Sequence, residues 1–235
     1  MKRVVLLKLS GEALSKKDGF GLDMEKVNNV AGEIKTLKDT GVSLGIVIGA
    51  GNMWRGRDAD TIGMNRVTAD HMGMLGTIFN SIALDSALEK LGLVSHVMSA
   101  IPMGDVVQPF NYHVAKKELE NDAILIFAGG TGHPYFSTDT TSVLRALEIG
   151  ADTILMAKNG TDGVYDSDPR KNPNAKRYDK ITYDEILKNH LCVMDLTAAA
   201  LCNDNNISIV VFDMGVSGNI KKVITNPEIG TIITK

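Results

Sequence analysis

Three short glycine-bearing segments are the part of this sequence best suited to chemistry. They are Ser10-Gly11, Gly49-Ala50-Gly51-Asn52 and Gly129-Gly130-Thr131-Gly132, and each follows a run of apolar residues. Glycine permits positive φ and lets a ligand approach backbone N–H groups closely. A helix N-terminus beyond such a turn adds partial positive charge, so these segments favour a phosphate ligand.

Two well-known phosphate-binding motifs do not match these segments. A P-loop requires the dipeptide Gly-Lys, which occurs nowhere in the chain. The dinucleotide motif Gly-x-Gly-x-x-Gly fails because Trp54 stands where its third glycine belongs. One such segment alone could be a plain turn, but three at one sheet edge indicate a phosphate-binding edge.

Four charged residues accompany the glycine segments. Lys8 lies in an otherwise apolar run, where an ammonium is costly unless it faces an anion. Arg55 could hold a phosphate through two parallel N–H bonds. Asp70 and Asp139 could help to place Mg²⁺, although helix N-capping would explain either one alone. Cations on the transferring group and a carboxylate near the metal are the parts that phosphoryl transfer needs.

The apolar pattern predicts the elements that must position these residues. Continuous apolar runs are typical of parallel strands buried on both faces, and apolar residues spaced by three or four predict helices. Strands are predicted at 4–9, 44–48, 94–98, 123–128, 153–157, 207–212 and 231–234. Helices are predicted between Asp23 and Gly41, at 65–91, 113–121, 138–149 and 195–205, and from Ser217. This alternation predicts one α/β domain over residues 1–235, a three-layer α/β/α sandwich with a mainly parallel central sheet.

The segment 158–180 does not fit this alternation. It is rich in Gly, Asp, Pro, Asn and Lys and has little apolar periodicity. It is too long for a plain connection in a compact domain, so it is either disordered or a functional loop.

Net charge, cysteine content and the length of the apolar runs disfavour several classes of protein. The 235 residues carry a formal charge of −3, which does not favour nucleic acid or an anionic membrane as partner. Cys192 and Cys202 have no metal-ligand spacing and are expected to be reduced thiols. The first apolar run is too short for a signal peptide and no later run could span a bilayer, so we expect a cytoplasmic protein.

Six stretches of the chain together resemble the bacterial uridylate (UMP) kinases of the amino-acid kinase superfamily. They occur in family order and cover essentially the whole chain. The stretches are KLSGEAL (8–14), GAGNMWRG (49–56), TADHMGML (68–75), GGTGHPYFSTD (129–139), DGVYDSDP (162–169) and MDL (194–196).

The resemblance implies a reaction and its participants. ATP and UMP would react with Mg²⁺ to give ADP and UDP in pyrimidine nucleotide biosynthesis, with GTP as activator and UTP as inhibitor. Lys8, Asp139 and Arg55 would be catalytic, with Mg²⁺ held mainly by nucleotide phosphates and no direct protein ligand. The protein would form homohexamers built from dimers, with the dimer contact on helix 65–91.

The resemblance also implies which residues bind each nucleotide. The ATP site would contain Lys8, Leu9, Ser10, Gly11, Gly51, Arg55, Asn159, Tyr165 and Asp168. The UMP site would contain Ala50, Asp70, Thr131, Gly132, His133, Pro134, Tyr135, Phe136, Ser137 and Thr138. The GTP-responsive loop would be Lys16, Lys17, Asp18, Gly19, Phe20 and Gly21. Lys158 and Asp195 are additional candidates, and segment 158–180 would cover the nucleotide.

The chain departs from the family pattern at Ala50, where glycine is usual. Alanine is a mild change there if φ is negative, but it would strain the loop if φ is positive.

Two other classes of function stay open at this point. Another kinase of the superfamily would act on carbamate, an acylated amino acid or isopentenyl phosphate. Arg55 and Asp70 discriminate, because a ribonucleoside monophosphate needs a phosphate clamp and a diol acceptor, which an amino acid does not. A non-catalytic nucleotide-binding regulator would be expected to lack Lys8 and Asp139, and both are present.

Overall fold

The computed structural model describes residues 2–54, 62–189, 191 and 193–235. Nine of its strands form one sheet: β1 (Val4–Leu9), β2 (Ser43–Ile48), β3 (Ser95–Ser99), β4 (Gln108–Pro109), β5 (Ile124–Ala128), β6 (Thr153–Lys158), β9 (Lys180–Thr182), β10 (Ser208–Asp213) and β11 (Thr231–Thr234). The spatial order is β4-β3-β5-β2-β1-β6-β10-β11-β9. All neighbours pair in parallel except β10 and β11, which are antiparallel. A separate antiparallel pair joins β7 (Val164–Tyr165) to β8 (Arg177–Tyr178).

Seven α-helices within the described ranges cover the sheet. They are α1 (Met24–Lys38), α2 (Arg66–Lys90), α3 (Tyr112–Glu120), α4 (Thr138–Ile149), α5 (Tyr183–Lys188), α6 (Leu196–Asn205) and α7 (Asn219–Thr225). Helices α1, α2 and α7 contribute to the hydrophobic core on one face, and α3 to α6 to the core on the other. The predicted three-layer sandwich is therefore confirmed.

The alternation of side chains along β1 determines where Lys8 points. Leu7 and Leu9 belong to the core under α1 and α2, whereas Leu6 belongs to the core under α4. Because successive strand residues face opposite sides, Lys8 lies on the same side as Leu6. The lysine is thereby directed toward the layer that contains α4.

Close packing brings α4 onto the centre of the sheet. A Cβ atom on Gly45 of β2 would lie 2.7 Å from Cδ1 of Ile149 and 3.0 Å from Cε2 of Phe127. A larger residue at position 45 would therefore require the side chain of Ile149 or Phe127 to move. At the other end of the helix, a Cβ atom on Gly49 would lie 3.6 Å from Oγ1 of Thr138, so the N-terminus of α4 lies beside the end of β2.

The strand order indicates where along the sheet a ligand is expected to bind. The chain fills the sheet from β1 through β2 to β5 on one side, then crosses to β6 and β10 on the other. Open parallel sheets bind ligands beyond the carboxyl ends of their strands, where the order reverses. That position is next to β1 and β6, whose ends carry Lys8 and Lys158.

The predicted elements are all present, with ends displaced by a residue or two, and Asp23 caps α1 as expected. Sequence patterning missed β4, α5 and the strands within 158–180. That segment consists mainly of turns and bends, but it contains the short strands β7 and β8 and the start of β9. Among the described helices, none combines the length and apolarity needed to cross a bilayer.

Candidate active site

A nearly buried ion pair joins the sheet to α4. Nζ of Lys8 lies 2.8 Å from Oδ1 of Asp139, and the two side chains are 10% and 16% exposed. Burial alone would raise the pKa of Asp139, but the ammonium groups of Lys8 and Lys158 outweigh it and hold that pKa below its usual value. The carboxylate is therefore ionised at neutral pH.

A second ammonium acts on the same carboxylate. Lys158 ends β6 and its Nζ donates a hydrogen bond of 2.9 Å to the carbonyl oxygen of Val193. Burial lowers the pKa of Lys158, while the charge of Asp139 opposes that shift. Lys8 and Lys158 thus place two amino groups beside one carboxylate, and such groups suit the transfer of an anionic group.

The first two glycine segments pack directly against each other. Ser10 caps the 3₁₀ turn Gly11–Leu14, and its Oγ accepts a hydrogen bond from the N–H of Glu12. A Cβ atom on Gly11 would lie 2.4 Å from the carbonyl oxygen of Gly49 and 2.5 Å from Oδ1 of Asn52. Gly11 is therefore required for this close approach.

A small cleft of about 160 Å³ opens between α2, the second glycine segment and the start of α4. Its lining includes Ala50, Asp70, Gly130, Phe136, Ser137 and Thr138. The carboxylate of Asp70 accepts hydrogen bonds from Nε of Arg66 at 2.8 Å and from the N–H of Tyr135 at 2.7 Å. Since a carboxylate has about four acceptor positions, Asp70 keeps capacity for two hydroxyl groups of a ligand.

The third glycine segment has the backbone that its sequence predicts. Gly129, Gly130 and Gly132 all have left-handed φ, and so does Tyr135 with φ 71°. A bulky residue in this region is uncommon and tends to mark functional loops. The bond to Asp70 and the guanidinium of Arg66, 5.5 Å from the ring centroid, hold Tyr135 in place. In the same loop, Thr131 pairs through its hydroxyl with the backbone of His133.

Asp195 links the start of α4 to the start of α6. Its carboxylate caps α6 by accepting from the N–H of Ala198 at 2.8 Å. It also accepts from the hydroxyl groups of Ser137 and Thr140. Ser137 in turn accepts from the N–H of Asp139. Asp195 therefore stabilises the turn that presents Asp139.

A larger cleft of about 580 Å³ adjoins the ion pair on the side of β6. Its lining includes Lys158, Gly163, Tyr165, Asp168, Arg170 and Val193. The hydroxyl of Tyr165 donates to Oδ1 of Asp162 at 2.7 Å, and this bond raises the pKa of Tyr165. The described lining does not include Asn159, whose Oδ1 lies beside Gly215.

The comparisons with known proteins agree with this geometry. The sequence model of the amino acid kinase family matches residues 3–213. The uridylate kinase of Limosilactobacillus reuteri is 51% identical over 229 residues, which are 97% of this chain and 95% of that protein. This chain belongs to the uridylate kinase branch of the amino acid kinase family.

Solved structures of the uridylate kinase branch superpose on the whole chain. The UMP kinase from Ureaplasma parvum is 41% identical with a TM-score of 0.95, and the match covers 100% of both chains. The UMP kinase from Bacillus anthracis is 39% identical with a TM-score of 0.95, covering 99% of this chain and 96% of that one. The family predicted from the six sequence stretches is confirmed.

The departure of this chain from the family pattern at Ala50 causes no backbone strain. Among the described non-glycine residues, only Asp122, Tyr135 and Asn206 have left-handed φ. The methyl group of Ala50 instead faces α2 at Gly76, where a second methyl would lie only 2.9 Å away. Gly76 thus makes the room that Ala50 fills.

The remaining predicted residues divide by location. Residues 16–19 form an exposed turn, Phe20 is 64% exposed, and Gly21 is bonded through its backbone to Asn52. Arg55, predicted as catalytic, lies outside the described residues. Sequence reasoning missed Arg66 as a partner of Asp70, although its spacing of four residues on a predicted helix was a signal. It also missed the buried Thr77 and Asn80, whose partners are distant in sequence.

Proposed function

We propose that this chain transfers the γ-phosphoryl group of ATP to UMP and releases ADP and UDP. The observation that carries the proposal is the position of the Lys8–Asp139 pair next to both clefts. Thr138, adjacent to Asp139, lines the smaller cleft, and Lys158, which acts on the same carboxylate, lines the larger one. The relatives described above, named uridylate kinase or UMP kinase, support the choice of acceptor.

The larger cleft suits the phosphoryl donor. Its volume of about 580 Å³ falls in the range of nucleotide-sized sites. Tyr165 and Asp168 would contact the base and ribose, and Lys8, Ser10 and Gly11 the phosphates. Leu9, Gly51, Arg55 and Asn159 complete the proposed donor side.

The smaller cleft suits a nucleoside monophosphate. Asp70 would accept hydrogen bonds from the ribose hydroxyls, because its carboxylate faces this cleft with acceptor capacity left. Backbone N–H groups of the third glycine segment would contact the acceptor. The proposed acceptor residues are Ala50, Asp70, Thr131, Gly132, His133, Pro134, Tyr135, Phe136, Ser137 and Thr138.

Phosphoryl transfer on this chain would depend on charge and position. Negative charge spreads over the oxygens of the transferring group, and the ammonium of Lys8 would stabilise it. Asp139 would keep Lys8 oriented by its 2.8 Å contact. The turn capped by Ser137 and braced by Asp195 would hold Asp139 in that position.

The donor set fits Mg²⁺ that arrives with ATP. The described residues contain no group of three or more His, Cys, Asp or Glu side chains able to hold a metal. The ionised Asp139 nevertheless offers one hard oxygen, and Mg²⁺ in kinases is bound by one or two carboxylates plus substrate phosphates. Bound in this way, Mg²⁺ would neutralise phosphate charge, with Asp139 nearby.

The finer expectations complete the proposal. The product UDP would serve pyrimidine nucleotide synthesis, with GTP activating through residues 16–21 and UTP inhibiting. The chain would assemble as a hexamer of three dimers. The hydrogen bonds between the backbone of Gly21 and the backbone and side chain of Asn52 support a link from residues 16–21 to the acceptor cleft.

A coupled ADP-release assay with Mg²⁺ and ATP tests this function. We expect turnover with UMP to exceed that with CMP, GMP or AMP, to rise with GTP and to fall with UTP. Glutamate and carbamate serve as acceptors for the competing superfamily activities. Turnover confined to glutamate or carbamate would overturn the proposal, and no turnover with any acceptor would favour a nucleotide-binding regulator.

A further inference from the structure

Two of the buried polar side chains of helix α2 bond to residues outside the helix, and the proposed reaction does not use them. Thr77 is 3% exposed and Asn80 is 0% exposed, and they lie on one face because residues three apart on a helix are neighbours. A polar group buried to this degree is costly unless its hydrogen bonds are made. Their partners therefore show what these side chains do.

Asn80 ties α2 to the second glycine segment. Its Nδ2 donates to the carbonyl oxygen of Gly49 at 2.8 Å and to Oδ1 of Asn52 at 2.7 Å. Nδ2 of Asn52 donates back to Oδ1 of Asn80 at 3.0 Å. Both amides are buried, and this reciprocal pattern fixes the orientation of each.

The same amide pair reaches the segment that precedes α1. Nδ2 of Asn52 donates to the carbonyl oxygen of Gly21 at 3.0 Å. The N–H of Gly21 donates to the carbonyl oxygen of Asn52 at 2.8 Å. Asn80 is thereby linked through Asn52 to Gly21, the last residue of the segment 16–21.

Thr77 ties α2 to the third glycine segment. Its Oγ1 accepts from the N–H of Gly129 at 2.9 Å and donates to the carbonyl oxygen of Met74 at 2.7 Å. Gly129 is the first residue after β5 and has φ 74°. One helical turn of α2 therefore holds the starts of two glycine segments.

We propose that Thr77 and Asn80 are positioning residues for phosphoryl transfer, which set the distance between the second and third glycine segments and so between Ala50 and Thr131 on the acceptor side. The inference rests on the proposed function for the assignment of that side. Backbone N–H groups of these segments would contact the acceptor, and misplacement of a reacting group by about 1 Å can cost about a hundredfold in rate. The hydrogen bonds of Thr77 and Asn80 would prevent such a displacement.

The test compares matched variants by their KM for UMP and for ATP. Thr77→Val keeps the side-chain shape but removes the hydroxyl that accepts from Gly129, whereas Thr77→Ser retains that hydroxyl. We expect Thr77→Val to raise the UMP KM about tenfold with little change in the ATP KM, since an unpaired buried N–H is costly. Thr77→Ser is expected to keep the UMP KM of the unaltered chain.

Asn80→Ser and Ser81→Ala provide the second variant and its control. Ser81 is also buried on α2, but its hydroxyl donates only within the helix, to the carbonyl oxygen of Thr77. Asn80→Ser should raise the UMP KM as Thr77→Val does, and Ser81→Ala should leave both KM values unchanged. Thermal unfolding of each variant shows whether it is folded at the assay temperature.

Two failures of this experiment are distinguishable. If the unaltered chain phosphorylates a different acceptor but not UMP, the proposed function is wrong, and the KM of that acceptor decides the role of Thr77 and Asn80. If the unaltered chain uses UMP but Thr77→Val changes both KM values equally, or only lowers thermal stability, Thr77 and Asn80 are structural residues and the inference is overturned.

Discussion

At the scale of single residues, we expect the charge of Lys8 to matter most while the phosphoryl group is being transferred. The lysine is nearly buried and already paired with Asp139, so its ammonium is fixed before a ligand arrives. A preorganised charge stabilises the transition state more than the bound substrate.

Lys8→Ala should therefore lower kcat by about a hundredfold or more while the KM for UMP changes little. Steady-state kinetics with both substrates measure the two parameters. Lys38→Ala is a matched control, because Lys38 is equally buried and pairs with Asp122 away from the clefts. Equal losses in kcat and in UMP affinity would contradict the assigned role of Lys8.

Asp70 should act on the acceptor alone. Asp70→Asn removes the charge that a ribose hydroxyl would meet, and we expect the UMP KM to rise about tenfold while the ATP KM is unchanged. With dUMP, which lacks one ribose hydroxyl, the KM of the variant should exceed that of the unaltered chain by a smaller factor than with UMP. Asp85→Asn, on the same helix and bonded to Ser95, is the control. A change confined to ATP would reverse the assignment of the two sites.

The surroundings of a single residue could be predicted from sequence where its type did not fit the pattern around it. Because Lys8 interrupts an apolar strand, the sequence predicted that it faces an anion. In the structure it is paired with Asp139. Asn80 gave no such signal, because a helix pattern does not show that Asn52 and Gly49, about thirty residues away, satisfy its amide. Burial of a polar side chain is decided by tertiary contacts that local spacing does not contain.

At the scale of elements, Ala50 and Gly76 form a single contact between a loop and a helix. Adding a methyl group at Gly76 would bring it within 2.9 Å of Cβ of Ala50 and 3.3 Å of Cβ of Met53. Gly76→Ala should therefore destabilise the chain by about 1–3 kcal/mol, the usual cost of overpacking.

The double variant Ala50→Gly with Gly76→Ala tests this contact directly. Moving the methyl group from the loop to the helix removes the closest clash, so we expect most of the lost stability to return. Chemical denaturation of the single and double variants measures the coupling between the two sites. Additive losses in the double variant would show that Ala50 and Gly76 do not share this space.

The strands missed from sequence share a physical cause. Strands β4 and β9 have two and three residues, which is too short for an alternating pattern. Their formation depends on pairing with β3 and β11, which is a non-local contact. The long elements could be predicted because each carries enough apolar residues to mark its buried face.

At the scale of the whole molecule, α2 has two different faces. Its inner face carries Thr77 and Asn80, while Leu75, Phe79 and Ile82 on its outer face are 50%, 53% and 40% exposed. Large apolar side chains clustered on one helix face are unusual for an isolated soluble chain and mark a contact surface. We expect a second copy of the chain to cover this face.

Phe79→Glu should separate the subunits, because it would place a charge in the middle of the expected contact, where burial without a partner is costly. Light scattering after size-exclusion chromatography should give a multiple of 25.3 kDa for the unaltered chain and a smaller multiple for the variant. Val216→Glu is the control, since Val216 is 52% exposed on another part of the surface. An unchanged mass for Phe79→Glu would place the contact elsewhere, and a mass of one chain for the unaltered protein would contradict the assembly.

Because Thr77 and Asn80 lie on the same helix as Phe79, loss of assembly should also raise the KM for UMP.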